Sequence, residues 1–258
     1  MEYKGEYKGK IDNCSTEIPA PRPRPCHYRV VTLIYAHRGL HQVERENTLE
    51  SFTAAVDLGV DGVELDVQRT LDGYLVVNHD PVVSGREIAS TPRVRLPAHI
   101  PTLEESMVAL ADVRVNVELK VRPRGPGRPD PPGVLARQVL VAVEEGGWTD
   151  QVLISSFSFD ECLSSQMHSE HVPVGWAVEG TDLRDAMARA HSRGLQAVHP
   201  YFTALNEPTM ALARELGLDV NVWTVNEAPD IERAIELGAG IIITDEPALA
   251  MKIRDRLA

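Results

Sequence analysis

Several short patterns in this 258-residue chain place acids, bases and cations at chemically useful spacings: His37-Arg38-Gly39, Glu64-Leu65-Asp66, His79-Asp80, Glu118-Leu119-Lys120 and Thr244-Asp245-Glu246-Pro247. Side chains on an extended strand alternate between faces, so Glu64 and Asp66 share one side, as do Glu118 and Lys120. Three carboxylates (Glu64, Asp66 and Glu118) brought to one point repel one another strongly, and a bound cation is the usual relief. An all-oxygen donor set favours one hard divalent cation, Mg2+ or Ca2+, over zinc. His37 and His79 suit acid and base work, because an ordinary imidazole titrates at about 6.5. Arg38 and Lys120 bring fixed positive charge that fits phosphate oxygens. Trp223 offers an apolar wall to a substrate. Glu46 either anchors the first loop through backbone hydrogen bonds or joins the site directly. A metal, two histidines and two cations together describe cleavage of a phosphoester.

Such residues work together only if the fold delivers them to one place. From residue 30 onward, short β-branched runs alternate with helical segments. The parallel strands read 30–36, 61–67, 113–119, 151–157, 173–179, 195–199, 218–225 and 239–244, with a helical pattern behind each. Asn47-Thr48-Leu49-Glu50 reads as a helix cap with Glu in the third place after Asn47, and Thr102-Leu103-Glu104-Glu105 as a second capping box. Gly59, Gly217 and Gly238 each close a helix just before a strand. Eight such units in about 230 residues point to a (β/α)8 TIM barrel, whose functional groups gather where strands end at one face. A doubly wound open sheet is the rival, but no glycine-rich dinucleotide turn follows the first strand. His199 ends the sixth strand, where it either lines the pocket or packs, whereas His41, His99, His168, His171 and His191 read as surface or packing residues.

One segment breaks the alternation. ELDVQRT, LDG and YLVVNHD read as two β runs joined by a tight turn, a β-hairpin extension after strand 2. Folded about Asp72, this hairpin sets His79 opposite Leu65, between Glu64 and Asp66. A short insertion, residues 82–100, follows it.

Composition narrows the class further. Apolar residues make up 43% and charged residues 25%, as in ordinary globular chains. No apolar run approaches the roughly 18 residues of a spanning helix, so no integral membrane association is expected. A net charge of −12 weighs against nucleic acid as a partner while leaving room for a small anion in a locally cationic pocket. Cys14, Cys26 and Cys162 are too few and scattered for a disulfide framework. The first residues carry no apolar signal-like stretch, and a cytoplasmic location is the expectation. Residues 1–28 read as a polar, Pro-rich N-terminal arm and 29–258 as the barrel domain; the 122–133 loop reads as an irregular connector over the mouth.

The segments HRG, ENTLESF, GVELDVQRTLDGYLVVNHDP, IPTLEE, NVELK and WTVN with IITDEP, spread from about residue 33 to the C-terminus, resemble the glycerophosphodiester phosphodiesterase family. The resemblance implies a barrel related to phosphatidylinositol-specific phospholipase C. It also implies metal-dependent hydrolysis of a small-molecule glycerophosphodiester to sn-glycerol 3-phosphate and an alcohol. Under it, His37 and His79 are the catalytic pair, Glu64, Asp66 and Glu118 the metal ligands, Arg38 and Lys120 phosphate contacts, and Trp223 a contact to glycerol carbons. The chain departs from the family in having Arg45 before Glu46, where proline is usual, and in its short 82–100 segment, which suggests an open mouth. One rival is a lysophospholipase D or phospholipase C-like enzyme on lipid phosphodiesters, which needs an apolar rim; aromatics are only 5% and no basic amphipathic helix is visible. The other is a non-catalytic phosphate-binding barrel, which the presence of both histidines argues against.

Overall fold

The computed structural model describes residues 31–121 and 131–258. The 1–28 arm and residues 122–130 of the connector after strand three lie outside that range. Strand β1 (Leu33–His37) lies beside β2 (Gly62–Arg69), which turns back into the antiparallel β3 (Leu75–Val77). A two-stranded ribbon, β4 (Val82–Val83) with β5 (Arg86–Glu87), opens the insertion. The strands β6 (Arg114–Leu119), β7 (Val152–Ser156), β8 (Val174–Val178), β9 (Ala197–Pro200), β10 (Asp219–Val222) and β11 (Ile241–Thr244) then join in parallel. Pairing of β1 with both β2 and β11 closes an eight-stranded parallel barrel. Helices cover it in chain order: α1 (Leu49–Leu58), α2 (Leu103–Ala109), α3 (Val134–Glu145), α4 (Phe159–His168), α5 (Leu183–Ser192), α6 (Glu207–Leu216), α7 (Ala228–Leu237) and α8 (Pro247–Leu257).

The strand sequences explain why both faces are covered. In β2, Val63, Leu65 and Val67 face the helices and join the main core with Phe52, Leu103 and Met107. The intervening Glu64, Asp66 and Gln68 are also buried, on the barrel side. A strand buried on both faces is normally apolar throughout, so polar residues at every second place of β2 mark the side where the chemistry lies. A separate cluster of Tyr35, Leu153, Ile241 and Ile243 fills the barrel interior below.

The hairpin has the expected register: Val67 pairs with Val77 and Arg69 with Leu75, symmetric about Asp72. The 82–100 insertion is compact, with Ile88, Leu96 and Ile100 buried against Val76. Gly59, Gly217 and Gly238 adopt the left-handed conformation that closes α1, α6 and α7, and Thr102 with Glu105 forms the capping box of α2. The first helix differs from its reading. Thr48, not Asn47, is the cap, its hydroxyl accepting from the Ser51 amide while the Ser51 hydroxyl accepts from the Thr48 amide. Asn47 is thereby released to another task.

Helix α3 begins on Gly133, which has no side chain to cap it. Glu161, 2% exposed on α4, supplies the cap by accepting from the amides of Gly133 (2.6 Å) and Ala136 (3.1 Å). A carboxylate on free helical N–H groups also meets the positive end of the helix dipole. Glu161→Ala is expected to destabilise the fold by about 2 kcal/mol. For a domain of this size that lowers Tm by roughly 4–8 °C. An unchanged melting curve contradicts the capping role.

Candidate active site

The site forms at the C-terminal ends of the strands. It begins with the turn after β1, where Arg38 has φ 57° and Gly39 φ 84°. A Cβ on Gly39 would lie 2.5 Å from the Ser51 hydroxyl oxygen, so the turn needs both the left-handed backbone and the missing side chain. Left-handed backbone at a non-glycine residue is costly and is sustained by surrounding bonds. Here the Arg38 amide donates to the Glu64 carbonyl (2.9 Å), and the Arg38 carbonyl accepts from the Asn47 amide (2.9 Å). The Arg38 side chain is thereby directed between Glu46 (3.0 Å) and Asp66 (3.4 Å).

Glu64 and Asp66 are 2% and 1% exposed, and Glu118 lies beside Asp66 in the β2–β6 register. One oxygen from each of the three carboxylates lies within 4.8 Å of the others. Lys120 bridges two of them, at 3.0 Å from Asp66 and 2.5 Å from Glu118. Burial, together with Asp66 and Glu118, pushes the Glu64 carboxyl well above the usual carboxylate range. Burial also raises Glu118, aided by Asp66 and opposed by Lys120. Asp66 goes the other way: burial acts against its charge, but Lys120 and Arg38 outweigh it and hold the carboxyl low. Its orientation is set by Asn47, whose amide donates to Asp66 Oδ2 at 2.8 Å. These oxygens fit a hard divalent cation in number, type and proximity. A second cluster, His37, His41 and Asp245, is equally close but uses its atoms in hydrogen bonds to one another.

His37 Nδ1 lies 2.6 Å from Asp245 Oδ1. Asp245 also meets His41 Nε2 at 2.8 Å and accepts from the Asn226 amide at 2.7 Å. Burial disfavours its charge, but the bonds from His37 and His41 prevail and its carboxyl is strongly acidic. An ionised carboxylate only accepts, so the His37 hydrogen is on Nδ1. Its Nε2, 3.9 Å from Glu64, is free to take a proton from the pocket.

His79 follows β3. Burial lowers its pKa, against the pull of Asp66 and with the help of Lys120 and Arg38, so all three site groups act on it electrostatically. Its Nδ1 meets Asp80 at 3.0 Å. Buried Gln68, the next barrel-facing residue after Asp66, holds the peptide in place by donating to the carbonyls of Asn78, His79 and Asp80.

A pocket of about 280 Å3, open to solvent, is lined by His37, Glu64, Asn116, Glu118, Ala177, His199, Trp223 and Ile243. The Trp223 indole is pinned by a 2.7 Å bond to the His199 carbonyl and meets Phe157 and Tyr201 edge-on, at 5.2 and 5.4 Å between centroids. Three aromatic rings thus gather on one side of the mouth.

The structure therefore brings His37, Arg38, Glu64, Asp66, Glu118 and Lys120 together, with Trp223 on the wall and His79 within electrostatic reach. Glu46 contacts Arg38. The sequence reads His41 as a surface or packing residue and Asn47 as a helix cap, shows Asp245 only as part of the Thr244–Pro247 pattern, and marks neither Gln68 nor Asn116. For Gln68 and Asn116 the period of two along β2 and β6 was an available signal. His41 and Asp245 lie 204 residues apart, and no local pattern joins them.

Residues 37–249 match the model of the glycerophosphoryl diester phosphodiesterase family. A glycerophosphodiester phosphodiesterase of Caldanaerobacter subterraneus subsp. tengcongensis is 30% identical over 237 residues, covering 84% of this chain and 95% of the relative. The crystal structure of a glycerophosphodiester phosphodiesterase from Thermotoga maritima superposes with TM-score 0.71 at 26% identity, covering 88% of this chain and 100% of that one. A phosphodiesterase of Oleispira antarctica, solved in complex with the product sn-glycerol-3-phosphate, superposes with TM-score 0.74 at 22% identity, covering 87% and 97%.

Proposed function

Because the chain belongs to the glycerophosphoryl diester phosphodiesterase family and is a phosphodiesterase acting on glycerophosphodiesters, we propose that it releases sn-glycerol 3-phosphate and an alcohol with a divalent cation and the pair His37 and His79. The observation that carries this reading is the convergence of Glu64, Asp66 and Glu118 within 4.8 Å, beside His37 and Lys120. The product bound by the Oleispira antarctica phosphodiesterase supports the same product here.

Glu64, Asp66 and Glu118 would hold the cation, which when bound supplies Lewis-acid charge neutralisation and a template for the phosphate. Arg38 and Lys120 hold phosphate oxygens, and Trp223 packs on the glycerol carbons. One histidine takes the proton of the attacking hydroxyl, and the other gives a proton to the departing alcohol oxygen. The glycerol 2-hydroxyl is the attacking group in this reading. Intramolecular attack removes much of the entropic cost and gives a cyclic 1,2-phosphate that water then opens. We place the enzyme in the cytoplasm, in keeping with the buried Cys162 thiol, which is in no disulfide. Among the described residues no helix is long and apolar enough to cross a membrane.

The test measures sn-glycerol 3-phosphate release from glycerophosphocholine and glycerophosphoethanolamine, with lysophosphatidylcholine as the lipid arm. Each is run with chelator, with Mg2+ and with Ca2+. Turnover of the soluble diesters that chelator abolishes is expected. Full turnover in excess chelator, or cleavage of the lipid alone, refutes the reading. A 2-deoxyglycerol diester is expected to bind but to turn over at under ~1% of the normal rate; comparable turnover leaves direct attack by water.

A further inference from the structure

Part of the pocket lining, Asn116 and His199, is polar and uncharged, which the reaction described above does not require. Asn116 on β6 is 1% exposed and faces the pocket two residues before Glu118. Two residues of strand are about 6–7 Å, so Asn116 lies that far back along β6 from Glu118, away from the mouth. Among the described residues its Oδ1 has no hydrogen-bond partner. A buried amide oxygen left unpaired is unfavourable, and a ligand hydroxyl relieves it on binding.

His199 lines the same pocket and is 2% exposed. Burial drives its pKa down to about 3, so the ring is neutral. Its Nε2 accepts from the Asn221 amide at 2.9 Å, which leaves the ring hydrogen on Nδ1. The ring is also wedged against β8: a Cβ on Gly175 would lie 2.2 Å from His199 Nε2. Asn116 thus offers an acceptor beside the neutral His199 ring, between apolar walls at Ala177, Ile243 and Trp223. An alcohol hydroxyl suits an unpaired acceptor, whereas neither Asn116 nor the neutral His199 carries the charge that holds a phosphate. The cations suited to phosphate, Arg38 and Lys120, stand at the mouth.

We propose that Asn116 and His199 form a subsite for the terminal hydroxyl of the glycerol unit, and so select glycerol over other phosphate-bearing alcohols. The assignment rests on the glycerophosphodiesterase reading. It places the phosphate at the mouth, the 2-hydroxyl beside the carboxylates and the terminal hydroxyl on the floor.

The experiment compares two diesters of ethanolamine phosphate on the enzyme saturated with divalent cation. One carries glycerol, the other propane-1,2-diol, which keeps the 2-hydroxyl and lacks only the terminal one. A site built to pair a hydroxyl rejects the analogue without it strongly, so a kcat/KM at least ~100-fold lower for the propanediol diester is expected. In Asn116→Leu the ratio is expected to fall below about 5-fold, because the polar partner is gone from both complexes. Equal kcat/KM for the two diesters in the wild type overturns the proposal, and that comparison needs no variant to fold. A properly folded Asn116→Leu enzyme with undiminished discrimination overturns the role of Asn116. Calorimetric binding of sn-glycerol 3-phosphate against propane-1,2-diol phosphate gives a second readout, with tighter binding of the former expected. A wild type that cleaves neither diester defeats the underlying reading, whereas cleavage of both at the same rate defeats the subsite alone.

Discussion

Alanine in place of Glu64, Asp66 or Glu118 is expected to lower kcat/KM by about 10^3-fold or more, since loss of a cation's charge stabilisation is worth several kcal/mol in the transition state. The same electrostatics makes a prediction for the metal-free protein. Glu64 has a raised carboxyl pKa in the fold, through burial and its neighbours Asp66 and Glu118. Between the ordinary carboxylate range and that raised value, the folded state binds more protons than the unfolded state. Unfolding free energy therefore decreases as pH rises through this window. Bound cation reverses the balance, because it favours the ionised carboxylates. In thermal melts from pH 5 to 8 the Glu64-dependent part of Tm, read as metal-free wild type minus Glu64→Gln, is thus expected to fall with pH, and the stabilisation of the wild type by added Mg2+ or Ca2+ to grow. Glu64→Gln cannot ionise, so it lacks this contribution and is expected to abolish turnover. A Glu64→Gln enzyme with wild-type activity, or melts indifferent to both cations at every pH, would remove the acidic cluster from the reaction.

Asp245→Asn carries the second large effect. The ionised carboxylate holds His37 with its hydrogen on Nδ1 and Nε2 facing the pocket. An asparagine that turns its amide toward Nδ1 forces the hydrogen onto Nε2, and the ring can no longer accept a proton there. kcat is expected to fall about 10^3-fold while KM changes little, because the substrate contacts at Arg38 and Lys120 are untouched. Nitrogen-15 NMR of the histidine rings reads the tautomer directly, which a purely structural role for Asp245 would leave alone. His41→Ala removes one of three side chains that hold Asp245 and is expected to have a much smaller effect on kcat. Wild-type turnover in Asp245→Asn would show that His37 is oriented by something else.

What could be read directly from the chain is what short spacings determine. The alternation of strand and helix, the closing glycines and the box at Thr102 are consequences of backbone preference within a few residues. So is the hairpin. Symmetry about Asp72 pairs Val67 with Val77 and so carries His79 back toward Asp66, because an antiparallel register follows from where the turn lies. Glu64 and Asp66 share a face by the period of two alone.

The tertiary structure decided which residues act on these. Asp245 reaches His37 only because β1 pairs with β11 and closes the barrel across 208 residues of chain. Asn47 lost the capping position to Thr48 and reached Asp66 instead, since the left-handed turn at Arg38 and Gly39 brings that loop over β2. Asn116 and His199, from strands on different sides of the ring, share a pocket floor for the same reason. A period along one strand says which face a side chain takes, whereas ring closure and strand stagger decide what stands opposite it.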